Sequence, residues 1–149
     1  MRKEHYMNLA IMTVISFVAM YILMYAMVDR FAHVYANINQ FYMAGLMAAP
    51  MVLIELAIMR EMYKDLRFNL VFGVLALIAL VGFFVLIRQQ TAVTDVQFLR
   101  SMIPHHAGAI LMCEQAPIQN TEIKKLCTEI ISSQKKEIEQ MRSMLRENR

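Results

Sequence analysis

Cysteine is scarce in this chain of 149 residues. Cys113 and Cys127 are the two there are, too few for a disulfide scaffold and enough for a single bridge. Neither a His-Glu-x-x-His nor a Cys-x-x-Cys spacing occurs, so the strictest metal signatures are missing. The Glu-x-x-His pairs from which di-iron bundles are built are missing too, and inward carboxylates are few. Fifteen Lys and Arg stand against twelve Asp and Glu. The basic residues are dispersed or flank apolar segments, and no basic face interleaved with aromatics suggests nucleic acid. Trp is absent, with only four Gly and three Pro.

What is abundant is apolar. Hydrophobic residues make up 58% of the chain, and 15 are Met. The mean hydropathy of +0.43 exceeds that of an ordinary soluble domain, and the excess lies before residue 88. Three runs carry it: 8–28, 41–59 and 69–87, each near the ~20 residues that cross a bilayer as a helix. Their near-uniform hydrophobicity separates them from surface-lying amphipathic helices. No small-x-small site follows the first, so it does not read as a cleavable signal. The expected fold is all-α: a membrane domain over residues 1–90 with three transmembrane helices, then a helical hairpin over residues 91–149.

Positive charge sets the expected orientation. Arg2 and Lys3 precede the first span, and Arg60, Lys64 and Arg67 lie between the second and third, whereas the segment 29–40 carries only Arg30. By the positive-inside rule the N-terminus is cytoplasmic, in an inner (plasma) membrane, and the hairpin is extracytoplasmic. In a Gram-negative cell that is the periplasm, where a Cys113–Cys127 disulfide would persist.

Inside the spans, Met43, Met47 and Met51 recur on one helical face. They read either as a thioether ladder for Cu(I) or as lipid-facing filler. Glu55 is the one acidic side chain well inside a span, a functional candidate that could equally snorkel toward Arg60 or stay protonated. His33, in the segment between spans one and two, reads as a solvated residue or an extension of a metal site.

The hairpin carries the chemistry. Thr94-Asp-Val-Gln97 has the form of a capping box and predicts a helix to about Gln115, bent at Pro104, which has no N–H for the preceding turn. Within it, Phe98, Met102, His105, Ala109 and Met112 form one stripe, and Leu99, Ile103, His106, Ile110 and Cys113 the next. Residues 116–121 turn the chain, Thr121 reads as an N-cap, and a second helix runs to about Arg146. Its apolar stripe includes Cys127, Ile138, Met141 and Leu145, interrupted by Gln134 and bordered by Glu137. Antiparallel pairing about Asn120 sets Cys113 near Cys127, the histidines near Gln134 and Glu137, and Met102 near Met141. Imidazole, thioether and thiolate suit a soft metal, Cu(I) above all. The bland alternative is a helix core holding two histidines and methionine filler.

These two helices resemble the family known as domain of unknown function 305. The shared pattern is a Met-x-x-His-His helix with a Met six residues on, followed by a Gln-x-x-Glu-x-x-x-Met helix. Here it falls on Met102, His105, His106, Met112, Gln134, Glu137 and Met141, and covers about residues 95–147. The resemblance implies a ferritin-like helical bundle and copper binding and tolerance outside the cytoplasm, without an established catalytic activity. Two departures stand out. The hairpin occurs once, on a membrane anchor, so self-association into a four-helix bundle is expected. The pair Cys113 and Cys127 lies outside the pattern, as a disulfide or as added soft ligands.

The expectation is therefore a membrane-anchored metal-binding protein that sequesters copper or hands it to a membrane copper transporter, with iron or zinc less favoured. His105 and His106 are the principal ligands, Met102, Met112 and Met141 the soft ones, and Gln134 and Glu137 complete or orient the shell. Two rivals are a non-catalytic assembly module with core histidines and, third, a ferritin-like metal oxidase.

Overall fold

A computed structural model describes residues 2–148, with the side chains of Arg2 and Lys3 excepted. The charges of Arg2 and Lys3 that enter the orientation rule therefore lie outside the described side chains. Among the described residues all regular structure is helical: α1 (Arg2–Leu23), α2 (Ile38–Ile58), α3 (Leu66–Gln89), α4 (Asp95–Gln115) and α5 (Thr121–Glu147). Short 3-10 turns, Met24–Met27 and Phe31–His33, lie between α1 and α2. The chain divides into two compact units. One takes the residues up to Met24 with Asn39–Thr91, the other Tyr25–Ile38 with the residues from Ala92 onward. The segment 25–38 thus belongs with the hairpin, although residues 39–91 separate them in sequence.

Three stretches, almost wholly in the first unit, are long and apolar enough to cross a membrane: Glu4–Met27, Ile38–Ile58 and Leu66–Gln89. Membrane association is what this composition fits, since Val14, Ile22, Leu70, Ile78 and many neighbours are half or more exposed, a surface too apolar and continuous for water. Each helix satisfies its own backbone polar groups, as a lipid surround requires. Small residues make the packing face of α2: Ala44, Gly45, Ala48, Ala49 and Val52 are all buried. The ring of Phe83 stands where a Cβ on Gly45 would be, so only glycine admits this approach.

The turn ends of this unit are polar and paired. The Tyr6 hydroxyl donates to Asn69 Oδ1 (2.6 Å) and accepts from the Asp65 N–H (3.2 Å). Asp65 caps α3 by accepting from Arg67 and Phe68 N–H. At the other end of α3, Gln90 turns the chain in the left-handed region (φ 49°) without being glycine. Its side-chain amide exchanges two hydrogen bonds with that of Asn39, at 2.9 and 3.0 Å, which offsets the backbone cost.

Glu55 does not reach for Arg60. It is half-buried and accepts from the Tyr63 hydroxyl at 3.2 Å, a partner brought back by the turn after α2. Met43 and Met47 are exposed and Met51 half-buried, so much of the methionine ladder faces away from the helices of this unit.

In the second unit α4 and α5 pack antiparallel around Leu99, Ile103, Ala107, Ile110, Ile138 and Met141. Ile103 and Ile110 are completely buried. Pro104 sits inside α4 and does not end it. Asn120, not Thr121, caps α5, its side chain accepting from Glu122 and Ile123 N–H. The hydroxyl of Thr94 accepts from Gln97 N–H as expected, but the Gln97 side chain does not complete a capping box. It accepts instead from Ile38 N–H at 3.0 Å, tying the segment 25–38 to α4.

That segment is a built cover. Val28 and Tyr35 pack on the hairpin core, and the Met27 carbonyl comes close to Gly108, 3.4 Å from where its Cβ would stand. The Tyr25 hydroxyl donates to the Tyr35 carbonyl (2.7 Å), and the Ser101 hydroxyl lies 3.2 Å from Asn37 Oδ1. His33 is not a solvated residue. It is 6% exposed, and its Nδ1–H donates to Asp29 Oδ1 at 2.6 Å. Burial pushes the Asp29 carboxyl up, but the hydrogen bonds from His33 and Arg30 outweigh it and hold the group below the ordinary carboxylate range.

A pH dependence follows. Because the folded-state pKa of Asp29 is depressed, its stabilisation is complete above the unfolded value of about 3.8 and is lost as pH falls below that. Hydrogen exchange of Ile38 and of the 3-10 turn Phe31–His33 should accelerate selectively on acidification below about pH 4. An Asp29→Asn variant should show the faster exchange already at pH 6. Equal protection of this segment at pH 3 and pH 6 would remove the role given to the pair.

Candidate metal centre

The two stripes of α4 have different fates. The stripe Leu99, Ile103, His106 and Ile110 is buried against α5 and the segment 25–38. The stripe Phe98, Met102, His105 and Met112 runs along the edge, with Phe98, His105 and Met112 exposed. Neighbouring residues on a helix point about 100° apart, so His105 and His106 diverge, their rings 6.2 Å apart. His106 alone enters the interior.

His106 is held at both nitrogens. Nδ1 lies 2.9 Å from the Met102 carbonyl one turn back, and Nε2 lies 2.8 Å from Glu137 Oε2 on α5. Both partners are acceptors, so a ring donating to both carries two protons and offers no lone pair. With Nδ1–H fixed on the backbone, Nε2 is the nitrogen that can ligate, once it leaves Glu137. The Ser133 hydroxyl donates to Glu137 at 2.6 Å. That bond first, and the one from His106 second, hold the Glu137 carboxyl below its usual range.

A groove of about 280 Å³ opens beside this pair, lined by Phe98, Met102, His106, Glu137, Met141 and Met144 among others. Of the residues expected at the site, it brings together Met102, His106, Glu137 and Met141. His105, Met112 and Gln134 do not line it. Gln134 is half-buried rather than locked in the core. Met144 is an addition. Its position was readable, since Glu137, Met141 and Met144 stand at i, i+4 and i+7 on one face of α5.

The donors fit a soft cation. Three methionines line the groove together with one histidine, side-chain types that suit Cu(I), and Glu137 is placed to orient the ring or take its proton. Among the described residues no group of three or more His, Cys, Asp and Glu converges. Cys113 and Cys127 are not available as thiolates, because they form a disulfide between α4 and α5 with Cα atoms 5.2 Å apart.

Comparison with known proteins covers both units. Residues 86–148 match the family described as Domain of unknown function (DUF305). A protein of Acanthamoeba polyphaga mimivirus, described as uncharacterized, is 32% identical over 142 residues, spanning 93% of this chain and 91% of that protein. A match of that extent runs through the apolar helices as well as the hairpin. No solved structure matches. With its paired helices, its His-His motif and its partner carboxylate all inside the matched region, this chain belongs to the DUF305 family.

Proposed function

We propose that this protein is a membrane-anchored copper-binding protein whose hairpin is extracytoplasmic, and that it holds Cu(I) for sequestration or for transfer to a membrane transporter. The observation that carries the reading is the groove in which Met102, Met141 and Met144 flank His106, with Glu137 on the ring's outer nitrogen. Copper is cargo here, bound by soft donors on a half-open surface from which a partner can take it. The Cys113–Cys127 disulfide supports an extracytoplasmic hairpin, since such bridges persist in oxidising compartments.

The anchor is α1–α3, with the N-terminus in the cytoplasm by the distribution of Arg and Lys. Pairing of two hairpins into a ferritin-like four-helix bundle would cover Phe98, Met112, Ile123 and Leu126, which are half-exposed. The same exposed side chains favour the second reading, an assembly module without metal chemistry.

Anaerobic loading of the detergent-purified chain with Cu(I), and separately with Zn(II), tests the proposal. Wild type is compared with a Met102→Leu/Met141→Leu/Met144→Leu variant, which keeps volume and apolarity nearly unchanged. Copper retained by wild type and lost from the triple variant is the expected result, with little zinc held by either. Equal copper in the two proteins would refute the thioether site.

A further inference from the structure

Where α4 begins and α5 ends, Tyr35, Arg100, Arg142, Leu145, Arg146 and Asn148 line a cavity of about 280 Å³. Three arginines line it, and among the described residues a single carboxylate answers them. Glu139 lies 3.7 Å from Arg142 and 3.2 Å from Arg146, and is itself largely exposed. Arg100 is half-buried and forms no ion pair or hydrogen bond with any described residue. Like charges gathered on one cavity repel each other, and an anion that joins them is drawn in. The planar fork of arginine favours phosphate, which it can bind through two parallel hydrogen bonds.

The wall of this cavity is preformed. The Tyr35 carbonyl accepts from the Tyr25 hydroxyl at 2.7 Å and from the Asn37 amide at 3.0 Å, while Tyr35 packs on the hairpin core. Leu145 and Val96 add an apolar side, suited to the carbon part of a phosphate ester. Chain connectivity suggests the source. Only residues 90–94 lie between α3 and α4, and at roughly 3.5 Å per residue that tether keeps this end of the hairpin within reach of lipid headgroups.

We infer that Arg100, Arg142 and Arg146 form a binding site for the phosphate of an anionic phospholipid headgroup. The site does not depend on copper binding, but it rests on the membrane insertion of α1–α3. It is separate from the methionine groove, which shares none of its lining residues.

The test uses the full chain in nanodiscs of mixed phosphatidylglycerol and phosphatidylcholine, with retained lipid counted by native mass spectrometry after extraction. Wild type should keep phosphatidylglycerol in preference to phosphatidylcholine. Arg100→Gln, which removes no ion pair or hydrogen bond among the described residues, should lower that retention about tenfold. Arg100→Gln/Arg142→Gln/Arg146→Gln should abolish the preference, and the charge-matched Lys124→Gln/Lys125→Gln/Lys136→Gln should not. Far-UV circular dichroism and an intact disulfide show that each variant is folded.

Equal phosphatidylglycerol retention in wild type and Arg100→Gln would overturn the site. A parallel titration with inorganic phosphate distinguishes the source. An Arg100-dependent thermal shift in phosphate, without preference among lipids, would overturn the headgroup and make free phosphate the ligand. Release of the chain from vesicles by alkaline carbonate would overturn the membrane reading, and with it the lipid source.

Discussion

His106→Ala should lower the retention of Cu(I) by about a hundredfold or more, whereas His105→Ala should change it by less than about tenfold. The resemblance to the family treats the two histidines alike, and the structure does not. His106 faces the groove with Met102, Met141 and Met144 and has its Nδ1 fixed on the Met102 carbonyl, so loss of its Nε2 removes a positioned ligand. His105 lies on the exposed stripe outside that groove. Removal of an outer partner typically costs 10–100-fold in metal affinity, and removal of a ligand costs more.

Glu137 gives this prediction a second readout. The metal competes with a proton for Nε2, so copper retention should weaken on acidification, and Ser133→Ala should alter that profile through Glu137. Competition with a calibrated Cu(I) chelator across pH, on the full chain in detergent, measures all of these. Equal losses in His105→Ala and His106→Ala would mean that the metal lies on the helix edge, not in the groove.

The Cys113→Ser/Cys127→Ser double variant should destabilise the hairpin unit by about 3 kcal/mol, the loop-closure entropy expected for a ring near 15 residues. The bridge closes a sequence separation of 14 across the turn, the part of the hairpin farthest from its core. There Ile123 and Leu126 are half-exposed and little apolar burial holds α5 to α4. The loss should therefore appear as faster hydrogen exchange in the first turns of α5, with α1–α3 unchanged. Reduction of the wild-type bridge should reproduce it. Unaltered exchange after reduction would show that the core at Ile103, Ile110 and Ile138 suffices by itself.

Composition alone was enough for the three apolar helices, because a bilayer-length apolar run with at most one charge has few other uses. The hairpin register was also legible. Two amphipathic helices joined by a short turn can bury their stripes in essentially one antiparallel alignment, which is why Cys113 met Cys127 and His106 met Glu137. Helix ends were read less well. Thr94 caps α4 as expected, but Asn120 takes the place expected of Thr121, and a side-chain amide goes wherever tertiary structure offers a donor, which for Gln97 was Ile38 N–H.

What the sequence by itself determined is helical content, three bilayer-length apolar helices and the pairing of α4 with α5, all set by patterns within a continuous stretch. Only the tertiary structure decided that residues 25–38 cover the hairpin, that His33 is buried on Asp29, and that three arginines share one cavity. It also separated His105 from His106. Local patterns record which face of a helix is apolar. They carry no information on which remote segment packs against that face, as Val28 and Tyr35 do against the hairpin core.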